Sequence, residues 1–549
     1  MRLQVKAFGG MKPSRSADLL LPGEAQLASN VRLTAGELRP LKDLLANVTL
    51  TAGGTIKSVY RFGQALTSIT QYWFQSFLDA DYVKGPVAND TTERTYFTDG
   101  VFPKKTDATI ATAAAPYPSA SYAMGIPAPA ATPTVTVTGT ATNPSDAGEA
   151  VVFVYTYTTA WGEEGPPSAA STAVTWRAGQ TLNISNLSVA PGTGAAGQNY
   201  SVNGKRLYRS ATGSQATQYQ YCTALGVIAL AATTATDTQT TATLGDVLET
   251  LGWLEPNATM VGLCAGPGAV MAGFYGNTVC FSVPGVPYAW PVRYQQSTDA
   301  PVVGIAWFDQ TLFVGTTQGL YLYTGADPAN MSGQKVPAAQ SVVSKRSVVP
   351  MLGGVLFASS DGLYRIDASG LVNLTAELFQ RADWQAYAPA TFSAYESDNR
   401  YIAFYDNGVK QASLVFMLGP ASSFSESSVY ATAGFRDRKA AALFVVEGGA
   451  TNLKQYDAGT ALTHTWTSGV FHLTSEDNLG AASVDASAYP VTFQLYADGV
   501  LKHTQAVANR FAFRMPGGYR SRRYHFTVTG TSTIRDVELA STMAEMGEH

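Results

Sequence analysis

Leu312-Phe313-Val314-Gly315 followed by Gly319-Leu320-Tyr321-Leu322 is echoed by Leu356-Phe357-Ala358-Ser359 followed by Gly362-Leu363-Tyr364-Arg365, the first elements 44 residues apart and the second 43. Weaker echoes begin at Val270, Ile402 and Leu443, so that five starts follow one another at 42, 44, 46 and 41 residues. A period of about 40–50 residues built as strand, tight turn and strand suits the four-stranded blade of a β-propeller, because such a sheet cannot bury both faces without a neighbour on each side. The repeat therefore predicts five blades between Ala269 and Tyr456. A further blade is expected from the strands near Ser58-Val59-Tyr60, Gln71-Tyr72-Trp73-Phe74 and Thr95-Tyr96-Phe97, closing the ring from a distant part of the chain. The competing reading is a run of unrelated β-meanders.

Outside the repeat, β-branched and aromatic residues still alternate with small polar ones between Gly, Asn, Asp and Pro, the pattern of half-buried strands. Helix is expected only in short pieces, at most Ala376–Gln385 and Leu41–Leu45. The Ala/Pro/Thr-rich stretch 111–133 has no apolar periodicity and reads as a stiff linker. After it, residues 131–252 read as an inserted sandwich of short strands, with Val152–Tyr157 and Leu207–Ser210 among them. Its segment Trp161-Gly162-Glu163-Glu164-Gly165-Pro166-Pro167-Ser168 resembles the strand-to-strand corner of fibronectin type III and Ig-like modules. The blade rhythm stops after Tyr456, and 461–549 reads as a C-terminal β-sandwich. There Pro490–Tyr496 and Val500–His503 flank Asp498-Gly499, a dipeptide that tolerates the positive φ of a primed hairpin turn. The division is thus 1–45 arm, 46–130 N-terminal strands and linker, 131–252 insertion, 253–460 blades and 461–549 sandwich; at 549 residues the chain is too long for one core.

Charge narrows the function classes. Only 14% of the residues are charged, against a typical ~25%. Net charge is −4 and no block of five basic residues occurs, which disfavours tight nucleic-acid binding by counterion release. A conduit through which DNA slides remains compatible, since stickiness would hinder it. Cys222, Cys264 and Cys280 lie in apolar runs without metal-ligand spacing and read as small core residues; the five histidines form no cluster with them. Met1–Gly10 has no apolar run suited to a signal peptide, and 18 uninterrupted apolar residues occur nowhere. Synthesis in a cytoplasm without a membrane span is expected.

Catalytic patterns are weak. Gly192-Thr193-Gly194-Ala195-Ala196-Gly197 matches G-x-G-x-x-G by letters, but Pro191 precedes it and strand-like sequence follows, so it lacks the strand-to-helix setting that presents amides to a pyrophosphate. Ser359-Ser360-Asp361-Gly362 has part of an Asp-box turn without its Trp. Asp309, Asp361, Asp406 and Glu447 sit in turns, where carboxylates usually satisfy local backbone. No cofactor, metal or catalytic residue is expected. A glycan-cleaving tail propeller and a receptor-binding adhesin are the rival classes. Basic residues concentrate only at Arg514, Arg520, Arg522 and Arg523, around Met515-Pro516-Gly517-Gly518.

The most specific signals lie at the two ends. Phe8-Gly9-Gly10-Met11-Lys12-Pro13, Leu20-Leu21-Pro22-Gly23-Glu24-Ala25-Gln26, Ala28-Ser29-Asn30 and Gly36-Glu37-Leu38-Arg39-Pro40-Leu41-Lys42 resemble the opening of the tail nozzle, or stabilisation, proteins (tail tubular protein B-like) of short-tailed bacteriophages. Phe513–Arg522, Phe526–Gly530, Ile534-Arg535 and Val537–Thr542 resemble their closing sandwich, with Tyr524 where Trp is expected. The resemblance implies a non-enzymatic virion subunit in a ring of six, below a head-to-tail adaptor and ahead of tip, needle or fibre proteins. Its channel would retain the genome and pass double-stranded DNA at ejection. Leu20, Leu21, Pro22, Arg39, Pro40, Arg514, Arg520, Arg522 and Arg523 are the expected subunit or partner contacts. The arm cannot bury Leu19, Leu20, Leu21 and Leu33 locally, so it is expected to dock on a larger body, each fully buried Leu contributing about 1.5–3 kcal/mol.

Overall fold

The computed structural model describes residues 2–546 except 34, 64–71, 88, 192–196, 212–217, 326 and 419–422. Among them the chain is all-β, with two short α-helices at Ala108–Ala111 and Arg381–Ala386 and a few 3-10 turns. The second falls at the end of the expected Ala376–Gln385 segment, opened by a capping box between Gln380 and Asp383. The expectation of helix at Leu41–Leu45 is wrong. Lys42 bridges Ala461 and Leu45 starts a strand, because the backbone there is taken up as the outer member of a distant sheet.

Seven sheets follow one another. Sheet I pairs Ser58–Phe62 with Tyr72–Ser76, and sheet II runs Asp81–Lys84, Thr95–Thr98, Lys104–Thr106, Tyr122–Ala123. Sheets III, IV and V are four-stranded meanders beginning at Val261–Ala265, Val302–Phe308 and Val349–Met351. Sheet VI begins at Ser393–Ser397, and sheet VII at Ala431–Asp437, its fourth strand being Leu45–Thr49. The five repeat starts fall on or at the edge of the second strands of sheets III to VII. The N-terminal strands, expected to supply one further sheet, make two.

The first strands of these sheets are neighbours in a closed cycle. Contacts run from sheet II to III, IV, V, VI, VII and on to I. Sheet I returns to II, where Ala80 donates its N–H to Ser58 Oγ at 2.8 Å and the Tyr60 and Tyr82 rings stack at 5.3 Å. Between sheets the cores are aromatic and aliphatic, with Phe313 stacked on Phe357 at 5.1 Å between IV and V.

Between sheets II and III the chain makes a separate module of short antiparallel strands, Phe153–Thr159 pairing Val202–Ala211 and Thr134–Thr138 pairing Thr181–Ser185. Val151, Phe153, Tyr155, Trp176, Leu182, Ile184, Leu207 and Cys222 are buried together in it. The C-terminal module stacks two sheets. One contains His464–Ser468, Ser521–Gly530, Val491–Ala497 and Val500–Val507; the other contains Ala481–Ala486, Ile534–Ala540 and, as edge strand, Arg2–Val5 from the start of the chain. Asp498 and Gly499 take φ of 50° and 76° at the hairpin tip, the primed turn their dipeptide specifies. Cys222 and Cys280 are buried, Cys264 is partly buried, and all three are free thiols. No described helix is long and apolar enough to cross a membrane.

Candidate functional site

The two sequence ends meet. Arg2–Val5 pairs Ile534–Ala540, and Ala25–Ser29 lies between Ser423–Ser427 of sheet VI and His464–Ser468, joining that sheet to the C-terminal module. Leu38 and Ile534 exchange backbone hydrogen bonds at 3.0 Å in both directions. Phe8 meets Trp466 edge-on at 5.0 Å, and the Trp466 indole donates to the Gly9 carbonyl at 3.0 Å. Tyr524, buried, donates its hydroxyl to the Asp477 carbonyl at 2.6 Å.

The expected contact residues divide into two groups. At the start of strand Ser521–Gly530, Arg523 grips both Asp18 oxygens at 2.7 and 2.9 Å, and His472 approaches the same carboxylate at 3.2 Å. Leu20 of the arm packs on Gly469 there. Leu21, Pro22, Arg514, Arg520 and Arg522 are exposed, and Arg514 pairs with Ala481, which pairs in turn with Ala540. Arg39 and Pro40 lie at the other end, beside Leu38 and Ile534, with Arg39 held by Glu37 at 3.0 Å. Arg523, at one end of strand Ser521–Gly530, lies seven residues of strand from Gly530 at the other end, about 23 Å at ~3.3 Å each. Of the four arm leucines, Leu33 is buried, Leu20 is partly covered, and Leu19 and Leu21 remain 70% and 57% exposed.

A second feature lies on the axis of the seven-sheet cycle. Asp79 and Asp81, before and on the first strand of sheet II, meet Lys345 and Arg346, just before that of sheet V. Lys345 Nζ lies 2.6 Å from Asp81 and 3.1 Å from Asp79; Arg346 lies 3.1 Å from Asp81, contacts Asp79 and donates to the Ala80 carbonyl at 2.8 Å. Burial would raise the Asp79 pKa, but Arg346 and Lys345 hold it below the ordinary carboxylate value. Since sheets III and IV intervene between II and V, these pairs cross the axis. They separate a cavity of about 370 Å³ lined by Lys57, Asp79, Lys345 and Arg346 from two adjoining cavities of about 370 and 330 Å³. The latter share Asp81, Leu263, Arg346, Tyr395 and Arg438.

The turn carboxylates singled out in the sequence are locally engaged. Asp406 accepts from the Gly408 N–H at 2.9 Å, Asp361 accepts from the Tyr364 hydroxyl at 3.1 Å, Glu447 accepts from Lys454 at 2.5 Å, and Asp309 occupies a hairpin tip at φ 48°. Of the G-x-G-x-x-G stretch only Gly197 lies among the described residues. Among the described residues no three metal-ligating side chains cluster.

Sequence reasoning missed the buried charges. Glu163, read as part of a corner, forms an ion pair with Lys105 of sheet II, and both are almost fully buried. Lys105 and Arg94 stand over the Trp161 ring at 5.4 and 5.2 Å, so this segment fastens the inserted module to sheet II. Within the module, Arg209 and Asp237 pair at 2.9 Å with no exposure. The sequence marks none of them: Lys105 stands beside Lys104, Glu163 beside Glu164, and Asp237 between two threonines, as solvated charges also do.

No family model and no curated protein matches this chain. Among solved structures it is similar to an extracellular domain assigned to a one-component system (BT4673) of B. thetaiotaomicron, at 11% identity over 90% of this chain and 48% of that one, with a TM-score of 0.23. It is also similar to PorZ, a bacterial surface component of the type-IX secretion system of Porphyromonas gingivalis, at 9% identity over 89% of this chain and 82% of that one, with a TM-score of 0.24. The chain thus spans about half the length of the former. At such TM-scores neither likeness bears on function.

Proposed function

We propose that this chain is the nozzle-type subunit of a short phage tail, a structural virion protein that assembles as a ring of six. In this reading sheets I to VII are the blades of a β-propeller, residues 131–252 an inserted fibronectin type III or Ig-like sandwich, and the C-terminal module the closing sandwich. The observation that carries it is the convergence of the two chain ends: the segments resembling the nozzle proteins, far apart in sequence, build one joint module through strand pairs and the Phe8–Trp466 contact. That module presents Leu19, Leu21 and Pro22 near Arg520 and Arg522, an exposed apolar and basic surface of the kind a subunit contact uses.

The cross-axis ion pairs support one refinement. A duplex cannot thread a propeller closed by Lys345, Arg346, Asp79 and Asp81. The conduit for DNA is therefore formed between subunits, around the ring axis. The chain is made in the host cytoplasm and resides in the virion tail, between the head-to-tail adaptor and tip or fibre proteins, and passes DNA by geometry and low stickiness without catalysis.

Mass determination in solution tests this reading: six copies in a closed ring are expected, whereas a monomer or trimer would favour an adhesin or spike. Incubation with host polysaccharide addresses the glycan-cleaving alternative. Chain shortening abolished by Glu396→Gln or Asp81→Asn would overturn the structural assignment.

A further inference from the structure

The two adjoining cavities beside the ion pairs, one lined mainly from sheets I, VI and VII and the other mainly from sheets III and IV, together have the chemistry of a ligand pocket. Their charges can be paired off. Asp79 and Asp81 balance Lys345 and Arg346, and Glu396 balances Arg436 at 2.9 Å. Arg438 is left over: it is exposed at the cavity and, among the described residues, forms no ion pair. Arg436 also keeps Nη1 buried without an acceptor among the described residues. The site therefore carries one surplus positive charge and an unused guanidinium donor beside it.

The walls are equally specific. Tyr395 and Phe435, both partly exposed, and Trp307 supply ring faces, while Tyr60 and Tyr82 stack behind. Small residues keep the space open: Ala394, Gly434, Ala306 and Gly262 line it on the first strands. A Cβ on Gly434 would lie 2.8 Å from the Tyr395 ring, so any larger residue would displace that ring. Cavities of about 370 and 330 Å³ fall in the lower part of the range for small-molecule sites, ~300–1,000 Å³.

We propose that this axial pocket binds a small monoanion, a carboxylate carried on a sugar-sized ring, with Arg438 and Arg436 taking the carboxylate and Tyr395 and Phe435 flanking the ring. A single surplus charge matches a carboxylate better than a phosphate dianion. Planar guanidinium groups suit carboxylate geometry. The proposal stands apart from ring assembly, since the pocket lies inside one subunit.

Calorimetric titration of the full-length protein with glucuronate, glucose and glucose 6-phosphate tests it, alongside the Arg438→Gln and Arg438→Lys variants. Saturable glucuronate binding is expected, at least tenfold weaker in Arg438→Gln and partly restored in Arg438→Lys, with glucose silent. Arg438 is exposed and, among the described residues, unpaired, so unchanged thermal unfolding of the variants is expected and separates lost binding from lost fold. Absence of saturable glucuronate binding, equal binding of glucose, preference for glucose 6-phosphate, or unaltered affinity in Arg438→Gln would each overturn the assignment. None of these outcomes depends on the number of subunits in the particle.

Discussion

Lys105 and Glu163 show how much one buried pair can decide. Burial drives the Lys105 pKa down while Glu163 pulls it back, so the ammonium depends on its partner. Removing one member leaves a charge stranded in a nearly dry site, which typically costs about 3–5 kcal/mol, whereas replacing both with apolar residues of similar size is far milder. Lys105→Met or Glu163→Gln is expected to lower stability in urea unfolding by that order, and Lys105→Met combined with Glu163→Leu to recover most of it. His464 predicts a pH effect. It is fully buried, with Nε2 2.8 Å from the Ser532 carbonyl, and burial lowers its pKa below the ordinary 6.5 although that carbonyl opposes the shift. Between the lowered folded value and 6.5 the unfolded chain binds the extra proton, so stability is present above 6.5 and declines as pH falls, by at most about 1.4 kcal/mol per pH unit. His503 and His525, also lowered mainly by burial, act with the same sign. Urea midpoints between pH 7.5 and 5 should fall in the wild type, with a shallower slope in His464→Gln.

At the scale of elements, the strands supplied by residues 1–43 act as joints. Arg2–Val5 covers an edge of the C-terminal module, and Ala25–Ser29 lies between sheet VI and His464–Ser468 as the strand that pairs with both. Val5, Phe8, Met11, Val31, Leu33 and Leu38 are all buried in this role, each contributing about 1.5–3 kcal/mol. Set against a total stability of about 5–15 kcal/mol for a domain, their loss is not survivable for the C-terminal module. Deleting residues 1–43 is expected to lower its unfolding temperature sharply and abolish the proposed ring assembly, read by thermal melts and solution mass. Stable truncated chains that still form rings would refute the role given to the arm. Hairpins were easier to foresee than joints. Asp498-Gly499 encodes its own turn, but Leu45–Thr49 becomes a strand only because Asn452–Gln455 offers an edge. Leu41–Leu45, taken alone, carries no sign of that edge and predicts helix instead.

For the whole molecule, the closed cycle of first strands and the ion pairs across its axis act together. Asp79, Asp81, Lys345 and Arg346 meet across the cycle of seven sheets, with one cavity beside Asp79 and two adjoining cavities beside Asp81. The inserted module, pinned to sheet II by Lys105 and Glu163, hangs outside the cycle and leaves the axis undisturbed.

From the sequence alone, strand periodicity and turn dipeptides determined the all-β class, the 41-to-46-residue repeat and the hairpin at Asp498-Gly499, because these depend on neighbours within a few residues. Motifs at the two ends pointed to a family but gave no geometry. Tertiary structure alone decided that those ends share a module, that the N-terminal strands make two sheets and that Lys105 finds Glu163. Each of these is a meeting of groups tens to hundreds of residues apart. A periodic pattern records which face of a strand is apolar, but not which distant strand will cover it.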